Sequence, residues 1–239
     1  MAGSGSIPRL CWVSAYPMDR RQFLSFAAAG FAVALLDPRD ALHASPVPSP
    51  ATSGKGFAYL TFDDGPGPGT VRTREILDKA GIPGTFFVVG QRASRQKDFL
   101  ASLVKGGHSV QNHSWTHPDL RYHPNPKREL ERCSNLIEDA TGKRPTHYRP
   151  PYAATNARIK RIGKSLGMKE LFWNLSATPP LAHPNPPVRF RERIDEVRGK
   201  NDYIVVLFHD GSGDVDKMIT LLPQAIAGFR ERGFSFQKF

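Results

Sequence analysis

Tyr59-Leu60-Thr61-Phe62-Asp63-Asp64-Gly65-Pro66 is the stretch that decides the fold and points to the chemistry. A short β-rich run, Tyr59–Phe62, ends abruptly in two carboxylates, and Gly65-Pro66 then turns the chain away. Side chains of adjacent strand residues diverge, so one aspartate can hold an ion while its neighbour faces a substrate. Further along, His113-Ser114-Trp115-Thr116-His117 carries two imidazoles four residues apart. A mononuclear hydrolytic site needs two histidines, one carboxylate, an open position for water and a separate base. Asp63-Asp64 supplies one carboxylate beyond the ligand set.

Working outward, β-rich runs recur at Thr85–Val89, Ser109–Asn112, His147–Arg149, Glu170–Trp173 and Tyr203–Phe208, with a weaker one at Ser235–Phe239. Helical patterns lie between them, near Val71–Ala80, Ser94–Lys105, Lys127–Ala140, Asn156–Leu166, Phe190–Arg198 and Gln224–Arg232. Several of these end in glycine, as helices do. Such alternation predicts parallel strands joined by helical crossovers. Polar residues recur at the C-terminal ends of the runs: Asp63 and Asp64, His113, Arg149 and Tyr152, Asn174, then His209 and Asp210. In α/β barrels that end carries the chemistry. The Pro-rich stretch 178–187 reads as a long surface loop at the same end.

The first 44 residues read differently. Asp19-Arg20-Arg21-Gln22-Phe23-Leu24-Ser25 precedes an apolar stretch, Phe26 to Leu36, and Leu42-His43-Ala44 offers small residues for cleavage. This is the layout of an export signal, and the paired arginines resemble the twin-arginine kind. Residues 45–56 are a Pro/Ser linker, and 57–239 the folded domain. Met18 is an alternative start. Export to the periplasm or medium is expected. No run reaches the roughly 20 apolar residues of a membrane span. The net charge is +11, and loss of residues 1–44 leaves +10, so the basic character belongs to the domain. The basic residues are scattered, with no nucleic-acid-binding signature, so no nucleic-acid partner is expected. With Cys11 in the leader, Cys133 is alone on a helix and reads as a buried structural thiol. His43, His108, His123, His147 and His183 read as structural.

Taken together, these residues resemble the polysaccharide deacetylases known as carbohydrate esterase family 4, the NodB-homology domain. Thr-Phe-Asp63-Asp64-Gly-Pro, His113-Ser-Trp-Thr-His117, Arg149-Pro150-Pro151-Tyr152 and Leu207-Phe208-His209 match four of the family's five motifs, across residues 57–239. The resemblance implies a distorted (β/α)7-type barrel in a single catalytic domain. It implies that Asp64, His113 and His117 hold one divalent metal ion, usually zinc, with cobalt, manganese and nickel as alternatives. Asp63 would be the general base, held by Arg149, and His209 the general acid. The Tyr152 backbone N–H would bind the oxyanion, and Leu207 would line the pocket for the acetyl methyl.

The expected activity is removal of N-acetyl groups from N-acetylglucosamine in peptidoglycan or chitin-like glycan, by a monomer. O-acetyl xylan, a lipid-linked sugar, or glycan binding without catalysis are the alternatives. The fourth motif departs from the family: Trp173-Asn174-Leu175-Ser176-Ala177-Thr178-Pro179-Pro180 has Ser176 in place of an Asp, and Pro179-Pro180 where Asp-Trp is usual. Trp173 would remain as pocket wall. Without that acid, Arg149 is expected to pair with Asp63 alone, and the pocket to be more open.

Overall fold

Phe57–Gly65 (β1) is buried along nearly its whole length, the pattern of a central parallel strand covered on both faces. Around it a computed structural model describes residues 56–177, 184–198 and 203–239. The leader, linker residues 45–55, Cys11, His43, Thr178, Pro179-Pro180 and His183 lie outside the described residues.

The elements follow in order: α1 (Thr70–Ala80), β2 (Thr85–Val88), α2 (Gly90–Ala93), α3 (Lys97–Lys105), β3 (Ser109–Asn112), α4 (Pro126–Thr141) and β4 (His147–Tyr148). A 3-10 turn (Pro151–Ala153), α5 (Ala157–Ser165), β5 (Lys169–Glu170), β6 (Leu175–Ser176), α6 (Pro186–Arg198), β7 (Tyr203–His209), α7 (Val215–Glu231) and β8 (Ser235–Gln237) complete the chain. Every strand pairing is parallel, in the order β5-β4-β3-β2-β1-β7-β6. β7 covers one edge of β1 along residues 57–63, so β8 at 57–59 and β2 at 61–65 share the other. Among the described residues β5 and β6, the ends of this path, do not pair, which leaves the distorted barrel open on that side.

An aromatic ladder fills the layer between sheet and helices. Phe62 stacks on Phe86 and Phe208 at 5.2 and 5.4 Å between centroids, and Phe190 stacks on Phe208 at 5.9 Å. Each such pair contributes about 0.5–1.5 kcal/mol beyond its buried area. Cys133 joins this core and is free and buried, with burial pushing its thiol pKa up to about 12.

Several boundaries differ from the sequence reading. The single strand expected at Glu170–Trp173 is instead β5 and β6, separated by Leu171–Asn174, whose backbone serves other partners described below. The last helix begins at Val215, not Gln224, because Asp214 caps it by accepting from the Lys217 N–H. Pro223 then sits inside the helix, where a proline usually ends one. The helix expected from Phe190 likewise begins earlier, at Pro186: Pro186 and Pro187, read as part of the loop, open its first turn, and Asn185 Oδ1 accepts from Val188 N–H at 3.5 Å.

Candidate active site

The strand ends gather Asp63, Asp64, His113, His117, Tyr152, Trp173, Leu207 and His209 around one cleft of about 700 Å³. β1 and β7 lie in register, Thr61 beside Leu207 and Asp63 beside His209. Alternation therefore turns Asp63, Leu207 and His209 to the cleft while Phe62 and Phe208 enter the core.

Asp63 and Asp64 are 3% and 7% exposed, yet they serve different partners. Asp64 leaves the strand with φ +73°, a left-handed conformation that swings its carboxylate out of line with Asp63. Asp64 Oδ1 lies 3.4 Å from His113 Nε2 and 3.0 Å from His117 Nε2. One ligand atom from each of these three residues lies within 4.8 Å of the others. The donor set, one carboxylate oxygen and two imidazole nitrogens, suits zinc and neighbouring divalent ions.

The nitrogens are oriented for that use. His113 Nδ1 donates to the Arg149 carbonyl at 2.7 Å, which leaves Nε2 to face Asp64. His117 Nδ1 lies 3.2 Å from the Tyr152 hydroxyl, and the Tyr152 ring meets the His117 ring edge-on at 4.7 Å. Burial alone would push Asp64 upward in pKa, but hydrogen bonds from His113, His117 and Ser212 hold it well below the usual carboxylate range. Asp64 is therefore ionised at any working pH. Burial pushes His113 down, but the Asp63 and Asp64 carboxylates outweigh it and raise its pKa.

Asp63 belongs to Arg149. That guanidinium is fully buried, and its Nη1 donates to Asp63 Oδ1 at 2.7 Å and to Thr61 Oγ1 at 2.8 Å. Nε reaches the Leu171 carbonyl at 3.1 Å and Nη2 the Phe172 carbonyl at 3.4 Å. The guanidinium also packs over Phe87 at 4.3 Å and Trp173 at 5.4 Å. As expected, Arg149 pairs with no carboxylate but Asp63 among the described residues, and its other bonds go to neutral acceptors. A hydroxyl and two backbone carbonyls share it, which explains why Leu171 and Phe172 do not continue β5. Asp63 Oδ2 faces the histidines instead, 3.7 Å from His113 Nε2.

The remaining residues fall into two groups. Leu207, Trp173 and His209 line the cleft, and Tyr152, at φ +59° and largely exposed, does so opposite them. The Tyr152 N–H has no hydrogen-bond partner among the described residues. Asn174 and Asp210, polar residues at strand ends, do not line it. Asn174 instead binds β7, donating to Tyr203 O at 3.1 Å and accepting from Val205 N–H at 2.8 Å. Asp210 is fully buried, and burial raises its pKa to about 8. Ser176 of β6 pairs with Leu207 of β7, and Ala177 beside it lines the cleft.

Several residues that build the site carry no motif. Ser212 donates its hydroxyl to Asp64 Oδ2. Arg92 Nη1 donates to the Asp64 carbonyl at 2.6 Å and the Gly211 carbonyl at 3.0 Å, tying the two loops together. Glu129 Oε2 accepts from the N–H groups of Trp115 and Thr116 at 3.0 and 2.7 Å, and so shapes the turn that presents His117. Glu129 was detectable in principle, since it shares a helix face with buried Cys133 and Leu136, where an acid needs a reason. Ser212 and Arg92 left no such signal. Gly211 approaches so closely that a Cβ there would sit 2.1 Å from the Asp64 carbonyl oxygen. Gly211→Ala should push Asp64 out of place, costing about 1–3 kcal/mol of stability and weakening zinc binding, readable by thermal melts and calorimetry.

Asp64, His113 and His117 could hold a divalent ion beside a second carboxylate that Arg149 holds, the parts a metal-assisted hydrolysis needs. A profile of the polysaccharide deacetylase family matches residues 51–171. The chain is 30% identical over 202 residues to a chitooligosaccharide deacetylase of Bradyrhizobium, covering 76% of this chain and 88% of that one. It is 30% identical over 157 residues to a peptidoglycan-N-acetylglucosamine deacetylase of Listeria monocytogenes, covering 63% of this chain and 32% of that protein. The structure of a family 4 carbohydrate esterase from Streptomyces lividans in complex with acetate superposes with a TM-score of 0.65 at 25% identity, over 77% of this chain and 93% of that one. The chain belongs to the polysaccharide deacetylase family.

Proposed function

We propose that this chain hydrolyses the acetamide of N-acetylglucosamine units in a polysaccharide or oligosaccharide, of peptidoglycan or chitin type, with zinc as its resident ion. The observation that carries this reading is the division between neighbouring aspartates, Asp64 turned to two histidines and Asp63 to a buried arginine. Asp64, His113 and His117 hold the divalent ion, which supplies Lewis acidity that polarises the acetyl carbonyl and makes water a stronger acid.

The protein's own groups do the rest. Asp63 Oδ2 takes the proton of the attacking water, while Arg149 fixes Oδ1 and so the direction of Oδ2. The Tyr152 N–H is placed to donate to the oxygen that gains charge as the carbon becomes tetrahedral. Leu207 receives the acetyl methyl and Trp173 walls the sugar. As the C–N bond breaks, His209 gives a proton to the departing amine, leaving acetate and a free glucosamine. Export through the twin-arginine leader, cleaved near Ser45, delivers the enzyme to such polymers. Its support is the sequence pattern alone, and fractionation of an Arg20→Lys, Arg21→Lys double variant tests it.

Acetate release from N-acetylglucosamine oligomers, peptidoglycan and acetylated xylan tests the substrate reading. Release from the first two is expected. Release from acetylated xylan only would move the substrate to O-acetyl esters, and glycan binding without any release would make the protein a binding relative.

A further inference from the structure

Beside the active-site cleft lies a second groove of about 330 Å³, walled by Pro66, Gln91, Arg92, Arg95 and Gln96. Arg92 borders both cavities, so they adjoin at the residue that ties down Asp64. All four polar residues of the groove come from the short segment Gln91–Gln96 that leads into α3. Gln91 and Arg92 lie in α2, Arg95 in the turn that follows it and Gln96 just before α3, so α2 and the loop between the two helices wall the groove.

Apart from Nη1 of Arg92, the polar side-chain groups in this groove are uncommitted among the described residues. Arg95, Gln91 and Gln96 are exposed and have no side-chain hydrogen bond among the described residues, and Arg92 uses only Nη1. Neither arginine has an ion-pair partner among the described residues, and no carboxylate lines the groove. Arg72, Arg74, Arg121, Arg144, Arg189 and Arg232 each hold a carboxylate. Neighbouring Lys97, too, is paired, with Asp139. Arg128, Arg158 and Arg161 are also without an ion pair among the described residues, but of these unpaired arginines only Arg92 and Arg95 wall a groove that adjoins the cleft. Two unpaired guanidinium groups flanked by two amides form a positive, donor-rich wall next to the reaction site. A neutral acetylated glycan offers nothing to offset that charge. A carboxylate does, through charge-assisted hydrogen bonds that a guanidinium makes in paired geometry.

We propose that this groove is a subsite for a carboxylate carried on a sugar of the glycan, and that it selects anionic over neutral chains. This rests on the deacetylase reading of the adjoining cleft. It favours a glycan whose sugars bear acidic ethers, of the peptidoglycan type, over an uncharged chitin-type polymer.

The test uses the full chain and two peptide-free tetrasaccharides of alternating N-acetylglucosamine and N-acetylmuramic acid. One keeps its lactyl carboxylates and the other has them converted to amides. In the wild type, kcat/KM for acetate release should favour the carboxylated substrate by about three- to fivefold, the scale of one exposed charge pair. The preference should lie in KM and fade with salt. Arg95→Ala should bring the ratio close to one, and Arg95→Glu should invert it. A wild-type ratio near one, or an unchanged ratio in both variants, would overturn the proposal. So would a preference that appears only when a stem peptide is attached, since the carboxylate would then be the peptide's. If neither substrate releases acetate, the deacetylase reading fails, but calorimetric Kd values for the same two tetrasaccharides still decide the subsite by the same ratios.

Discussion

Replacing His117 with alanine is expected to lower zinc affinity by about a thousandfold or more, because two ligands remain where three converge. His117 lies 3.0 Å from Asp64 Oδ1 and is partly exposed, so its removal leaves no buried hole in the core. The fold should therefore survive with little change in Tm in the metal-free protein. Calorimetric titration of metal-free wild type and variant measures the effect. Equal affinity in the two would remove His117 from the ligand set. His113→Ala is the less clean experiment, since His113 is buried and its Nδ1 also fastens the Arg149 carbonyl.

Asp63→Asn is expected to keep the metal and lose about 10² to 10⁴ in kcat, the usual range for a general base. A second effect accompanies it. Asparagine still accepts a hydrogen bond from Arg149 but carries no charge, so a fully buried guanidinium loses the only carboxylate it holds among the described residues. Breaking a buried pair in this way costs about 3–5 kcal/mol. The rate must therefore be measured well below the lowered Tm, with metal content determined on the same sample. Loss of metal together with activity would mean that Asp63 and Asp64 act as one ligand pair. Full activity would mean that the base lies elsewhere.

What was legible in the sequence was local. A strand that is buried on both faces must be apolar, so Asp63-Asp64 at the end of Tyr59–Phe62 is conspicuous. That Asp63 and His209 each end a run was legible too, but the pairing that sets the first run beside the sixth, in this register, was seen only in the structure. What was not legible depends on contacts between distant segments. Ser212 meets Asp64 across 148 residues, and nothing in Asp210-Gly211-Ser212-Gly213 announces it. Arg92 looks like any other surface cation until its two carbonyl partners are seen. The split between β5 and β6 was invisible for a related reason: Leu171 and Phe172 give their carbonyls to Arg149, a tertiary demand that overrides strand propensity. Asn174 erred the other way. Its position resembled a site residue, but its amide both donates to and accepts from the backbone of β7.

Acetate release during metal titration tests the central claim most directly. Chelator-treated protein, freed of excess chelator, is incubated with an N-acetylglucosamine oligomer while zinc is added in fractions of an equivalent. Release should be absent without metal, should rise in proportion to zinc and should level off at about one ion per chain, as expected for a site with three protein ligands and an open position. Undiminished release from the metal-free protein, or saturation only at two ions per chain, would contradict a single ion held by Asp64, His113 and His117.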